Sequence, residues 1–175
     1  MTTAPARKPD RYRILHVGCG GDALPSWLAG EETRLDIDPA TEPDIVASMT
    51  DMGRIGEYDV VYCSHALEHL FLHEIRPALR EFRRVLKPGG RAVVIVPDAQ
   101  GVSPTEEVLF VSPAGPVTGL DLLYGMRSRI AACPYMAHRY GFVSMTLEAE
   151  MAHAGFAHAV VKRVPDFNLL AVATK

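Results

Sequence analysis

Three groups of residues in this sequence have types and spacing suited to chemistry. The first is Gly18-Cys19-Gly20-Gly21, directly after a short apolar run, with Asp36 at the end of the next run. Glycines at such a place let the chain turn sharply and let a ligand approach the backbone without meeting a Cβ. Backbone N–H groups there can meet a carboxylate or phosphate. A carboxylate one strand along can accept from both hydroxyls of a ribose. The alternative is a tight turn beside a surface aspartate. The second group is His65-Ala66-Leu67-Glu68-His69, with His73 beyond it. The third is residues 134–142, where His138 and Arg139 stand among Tyr135, Tyr140 and Phe142. A histidine there suits proton removal and an arginine suits an anion; equally, His138 and the tyrosines can anchor an irregular loop. Tyr124 and Arg127, one helical turn apart, share that ambiguity.

Two motif matches need weighing. Gly18-x-Gly20-x-x-Ala23 satisfies the dinucleotide fingerprint. Pro25 follows almost at once, and the chain is short for a second nucleotide-binding half, so an NAD-dependent oxidoreductase is the weaker reading. His65-x-x-Glu68-His69 matches the zinc motif of inverted metalloproteases, and on a helix the two histidines would share a face. The motif, however, follows a buried strand and opens into a helix. His69 therefore reads as a hydrogen-bonded structural residue, a zinc hydrolase is a remote alternative, and no metal ligand is assigned.

The elements that must hold these residues follow from hydrophobic pattern. Continuous apolar runs at 13–17, 33–37, 44–47, 58–63 and 91–96 predict strands buried on both faces. Ile75, Leu79, Phe82 and Leu86 recur at helical spacing, with Arg80, Glu81, Arg83 and Arg84 opposite and Lys87-Pro88-Gly89-Gly90 as the stop. Strand and helix in alternation predict right-handed βαβ units and a parallel sheet. The last third is less regular. Residues 101–116 read as a long loop or cover, 120–132 as a helix, 134–143 as an irregular connection, and 146–154 as a helix with Thr146 as N-cap. Residues 156–164 and 168–174, separated by Pro165-Asp166, predict an antiparallel hairpin at the sheet edge.

Composition bounds the rest. The chain has 175 residues, 48% apolar and 22% charged, with a net charge of −3. One domain is expected, with residues 1–10 as a disordered leader, 11–175 as the domain and 99–145 as a cover over an acceptor site. The near-neutral balance argues against general nucleic-acid binding or membrane-surface binding. No apolar run approaches the roughly 20 residues of a membrane helix. Three scattered cysteines without a CxxC pair read as free thiols, hence a cytoplasmic protein.

In order, LHVGCGG (15–21), LDIDP (35–39), YDVVYCSHALEHL (58–70) and REFRRVLKPGGRAVVIVPD (80–98) resemble the class I S-adenosylmethionine-dependent methyltransferases of the type 11 group. Each piece alone is weak; the ordered set is specific. The resemblance implies an α/β, doubly wound, mostly parallel seven-stranded sheet, a Rossmann-like fold with an antiparallel terminal hairpin. It implies S-adenosylmethionine as cofactor. Gly18, Cys19 and Gly20 would lie against its methionine portion, Asp36 would hold the ribose, and Ile37 would pack on the adenine. Ser48 and the backbone of Met49 would reach the adenine amino group, with Asp51 as a substitute. Ser64 and His65 would line the boundary with the acceptor. The sequence departs from the family at Asp22, where a third glycine is usual, and at Ser48, where an aspartate is.

Because the electrophile is carried by the cofactor, the protein's task would be to position an acceptor and, where it must lose a proton, to supply a base. His138 and His65 are the catalytic candidates, with Asp98 after the fifth strand as another. The reading is thus a methyltransferase acting on a small-molecule acceptor, with a homodimer compatible. A non-catalytic binding or partner subunit of the same fold is the alternative.

Overall fold

The computed structural model describes residues 11–175, so the leader expected at 1–10 lies outside the described residues. Seven strands form one sheet in the order β3-β2-β1-β4-β5-β9-β8. They are β1 (Arg13–Val17), β2 (Glu31–Asp36), β3 (Ile45–Val46), β4 (Tyr58–Ser64), β5 (Leu86–Pro97), β8 (His158–Val164) and β9 (Asn168–Thr174). The first five pair in parallel. β9 runs antiparallel between β5 and β8, which makes the late strands the expected hairpin at the sheet edge. The Rossmann-like, mostly parallel sheet with an antiparallel terminal hairpin is therefore observed.

Helix α1 (Leu72–Val85) connects β4 to β5, and α4 (Ser144–His153) precedes β8. Both bury one stripe on the same sheet face. Ile75, Leu79 and Phe82 of α1 and Leu147 and Met151 of α4 meet Leu15, Val17, Val61, Cys63, Val94 and Leu169, all essentially inaccessible to solvent. Transfer of each such large side chain from water contributes on the order of 1.5–3 kcal/mol. The opposite face holds a smaller cluster of Ile14, Tyr62 and Val93, on which Leu24 and Leu28 of the β1–β2 connection pack. Trp27 lies edge-on to Tyr62 with ring centroids 6.0 Å apart.

The last third differs in detail from the pattern reading. Residues 101–116 are not all loop: β6 (Val108–Ser112) and β7 (Gly115–Thr118) form a hairpin of their own. The helix expected over 120–132 is broken into α2 (Gly119–Tyr124) and α3 (Arg127–Ile130). Gly125 makes the break with φ +90, and a Cβ there would overlap the carbonyl of Met136, so the chain turns instead of continuing. α4 begins two residues earlier than expected. Thr146 lies inside its first turn, where its hydroxyl accepts from the Val143 N–H at 3.1 Å. No helix among the described residues is long and apolar enough to cross a membrane.

Candidate functional site

β1 and β4, adjacent in the sheet, deliver the glycine loop and the His65 segment to the same end, the carboxyl ends where open α/β sheets bind ligands. Gly18 and Gly20 both have left-handed backbones, with φ +64 and +48. The loop is tied to β2 through the Gly18 N–H, which donates to the Leu35 carbonyl at 2.8 Å. Gly18 is required for a second reason: a Cβ there would overlap that of Ala66, just beyond β4. Cys19 is buried, and burial, acting more strongly than nearby Arg34, pushes its thiol above the ordinary value.

Asp36 closes the loop from β2. Its Oδ2 accepts the Gly20 N–H at 2.8 Å and its Oδ1 accepts the Asp38 N–H at 2.9 Å. Each oxygen keeps a further lone pair for a hydroxyl donor. Ile37 beside it is 47% exposed, an apolar platform open to solvent. Arg34, two residues earlier and so on the same strand face as Asp36, reaches the Gly20 carbonyl at 2.6 Å and that of Asp22 at 3.2 Å. The pattern reading missed Arg34, although its alternation with Asp36 was a usable signal. Ser48 follows β3 in a turn whose hydroxyl pairs with that of Thr50 at 2.8 Å. The Asp51 carboxylate accepts from Gly53 in the same turn, and the Met49 side chain approaches Gly18.

At the end of β4, Ser64 is half-buried and His65 takes a left-handed backbone with φ +51. For a non-glycine residue that conformation stores strain of about 1 kcal/mol or more. Leu67–His69 is a single 3-10 turn, so His65 and His69 do not share a helix face as the metalloprotease reading would need. Instead the two candidate histidines meet at a residue that sequence reasoning counted only as part of a motif. His65 Nδ1 lies 3.5 Å from Glu68 Oε1, and His138 Nε2 lies 4.0 Å from the same oxygen. The His69 and His138 rings are 5.1 Å apart. His69, as expected, is held through its ring by a hydrogen bond from Nδ1 to the Ala137 carbonyl at 3.1 Å.

The charges respond to this crowding. Burial pushes the Glu68 carboxyl up, but His65, His69 and His138 outweigh it and hold the group below the ordinary carboxylate value. Burial pushes His138 below the ordinary imidazole value, against the pull of Glu68. His65 is pushed down by burial and pulled up further by Glu68, ending above it.

The remaining candidates have structural partners. Asp98 is buried, and its Oδ2 accepts from Arg163 Nε at 2.7 Å while its Oδ1 accepts from the Gln100 N–H. Arg127 pairs with Asp121 and with Glu106 across the β6–β7 region. Arg139 lies over the Phe71 ring, and Tyr140 meets Phe142 edge to face. Residues 105–143 return to the sheet through the Arg139 N–H on the Glu68 carbonyl and the Ala99 N–H on the Phe142 carbonyl.

Residues 15–94 match the family model described as a methyltransferase domain. Among solved structures, the fold resembles an S-adenosylmethionine dependent methyltransferase from Mesorhizobium loti, with a TM-score of 0.66 and 17% identity over 96% of this chain and 94% of that one. It also resembles the N-methyltransferase NodS from Bradyrhizobium japonicum, in complex with S-adenosyl-L-homocysteine (TM-score 0.59, 16% identity, 94% and 78% covered). Human N-acetylserotonin methyltransferase in complex with SAM is a third (TM-score 0.60, 14% identity), and this chain spans 48% of it. No curated protein sequence matches. The domain match lies over β1 to β5, and with the strand order completed by an antiparallel β9 the chain has the fold of the S-adenosylmethionine-dependent methyltransferases that it resembles.

Proposed function

We propose that this protein transfers the methyl group of S-adenosylmethionine to a small-molecule acceptor. The observation that carries the reading is the clamp of Asp36 on Gly20 at the carboxyl ends of β1 and β2. It fixes a carboxylate with spare lone pairs beside a loop in which Gly18 admits no Cβ, and beside the exposed Ile37. Those residues fit the cofactor: Asp36 to the ribose hydroxyls, Ile37 to the adenine face, and Gly18, Cys19 and Gly20 to the methionine portion. Ser48 and Met49 are assigned to the adenine edge, and Ser64 to the acceptor boundary. Bound there, the sulfonium supplies an activated methyl carbon.

The chain's own contribution is to hold the acceptor atom in line and to remove its proton where it carries one. His65, half-exposed and raised above the ordinary imidazole value by Glu68, is assigned the proton-accepting role. His138 is assigned to the same site through Glu68. Residues 99–145 are assigned as the acceptor-site cover, and the acceptor is taken to be small because one structural neighbour is named for a small acceptor, N-acetylserotonin. The three free cysteines, two of them buried, support a reducing, cytoplasmic setting. Calorimetric titration with S-adenosylmethionine and S-adenosylhomocysteine tests the reading. Saturable one-site binding in the micromolar range is expected; no binding of either by the folded protein overturns it and returns the non-catalytic alternative.

A further inference from the structure

Glu68 is 1% exposed, and neither of its carboxylate oxygens has a hydrogen-bond partner. A buried anion without hydrogen bonds is costly, and proteins resolve it by pairing the charge or by coordinating a metal. The groups around Glu68 are imidazoles: His65, His69 and His138. Two of them are oriented by backbone carbonyls. His69 Nδ1 bonds the Ala137 carbonyl at 3.1 Å, and His138 Nδ1 bonds the Leu122 carbonyl at 3.0 Å. A carbonyl can only accept, so Nδ1 carries the hydrogen in both rings and Nε2 keeps its lone pair. This outer-shell arrangement fixes the tautomer and orientation of metal-ligating histidines. One ligand atom each from Glu68, His69 and His138 lie within 4.8 Å of one another.

We propose that Glu68, His69 and His138 bind a divalent cation of the borderline class, zinc or its cobalt analogue, at the carboxyl end of β4. Mixed imidazole and carboxylate ligands suit that class better than calcium or magnesium, which take oxygen. Bonds of about 2.0–2.2 Å to a tetrahedral ion place ligand atoms roughly 3.3–3.5 Å apart, so the present 4.0 Å between His138 and Glu68 closes by about half an ångström on binding. A simple ion pair accounts for less: it leaves both Glu68 oxygens without a hydrogen bond. Three protein ligands leave a position for water or a ligand oxygen, as in open zinc sites. His65, the half-exposed member of the cluster, marks the side from which solvent reaches it.

This ligand set differs from that of an H-x-x-E-H helix. There, His65 and His69 would ligate; here His69 does so with the glutamate and with a histidine from the distant 134–142 segment, and metal binding fastens that segment to β4.

The test uses the full chain, stripped with a chelator and titrated with zinc chloride and cobalt chloride by calorimetry and visible absorption. Expected are one ion per chain, a d–d spectrum of an N/O-ligated cobalt site, and a raised Tm. In Glu68→Gln and His138→Gln, binding weakens by at least tenfold. S-adenosylhomocysteine titration of the same samples reports folding and the cofactor site separately. Wild-type protein that binds S-adenosylhomocysteine but takes up no stoichiometric zinc or cobalt overturns the metal site and leaves the methyltransferase reading standing. Variants that are folded and bind the ions as tightly as wild type overturn the ligand assignment.

Discussion

Gly18 rests directly against Ala66, so that a Cβ on Gly18 would overlap the Ala66 side chain. The contact joins the loop after β1 to the turn after β4, the two segments assigned to the cofactor and to the acceptor. Gly18→Ala must move one of them and also force a left-handed residue, a combined cost of about 2–4 kcal/mol. The expected result is a lower Tm and loss of S-adenosylhomocysteine binding. Gly21→Ala is the control, since nothing lies within 4 Å of its Cβ position and its backbone is not left-handed. A variant at Gly18 with wild-type Tm and affinity would show that the loop carries neither constraint.

Asp36→Asn addresses the ribose assignment. It keeps one oxygen for the Gly20 or Asp38 amide but turns the other into a donor facing an N–H. A hydrogen bond to a charged group contributes roughly 1.5–3 kcal/mol, so cofactor affinity should fall about tenfold to a hundredfold. The protein should remain folded, at a cost near 1 kcal/mol. Calorimetric affinities for S-adenosylhomocysteine decide it, and an unchanged value removes Asp36 from the ribose.

Asp98→Asn separates a structural carboxylate from a catalytic one. Asp98 stands at the end of β5, where a base would be expected, yet both its oxygens are committed, to Arg163 and to Gln100. The Asn variant should lose about 1–3 kcal/mol of stability, since it weakens a buried charge-assisted bond. Its affinity for S-adenosylhomocysteine should match wild type. Chemical denaturation beside calorimetry makes the comparison; unchanged stability with altered ligand binding would put Asp98 back in the site.

The parallel half of this molecule was legible in the sequence because burial on both faces leaves a continuous apolar run, as at 13–17 and 58–63, and because α1 repeats its stripe through Ile75, Leu79 and Phe82. The stretch between β5 and α4 was not. β6 carries Val108 and Val111 exposed, so alternation against a core had nothing to report. The break at Gly125 depends on contact with Met136, which no local pattern encodes. In the site, Gly18 and Asp36 were readable from their place after strands. The gathering of His65, His69 and His138 on Glu68 was not, because His138 arrives from a segment without period, on hydrogen bonds to its backbone neighbours.

Acid should loosen the β7–α2 junction before it disturbs the sheet. Burial pushes the Asp121 carboxyl up, but hydrogen bonds from Thr118 and Arg127 outweigh it and bring the group down from 3.8 to about 2. A folded value below the unfolded one means that the carboxylate stabilises fully above the unfolded value. That contribution drains away as pH falls from about 4 toward 2, where the group is protonated in both states. The shift corresponds to at most about 2 kcal/mol, and to less once solvent screening at Arg127, whose side chain is 38% exposed, is counted. Protection of the Gly119–Tyr124 amides, measured against the intrinsic exchange rate at each pH, should therefore fall between about pH 4 and pH 2.5. Asp121→Asn should show the lower protection already at neutral pH, with a flatter acid dependence. Equal pH profiles for wild type and variant would mean that the Thr118–Asp121–Arg127 bonds do not hold this segment.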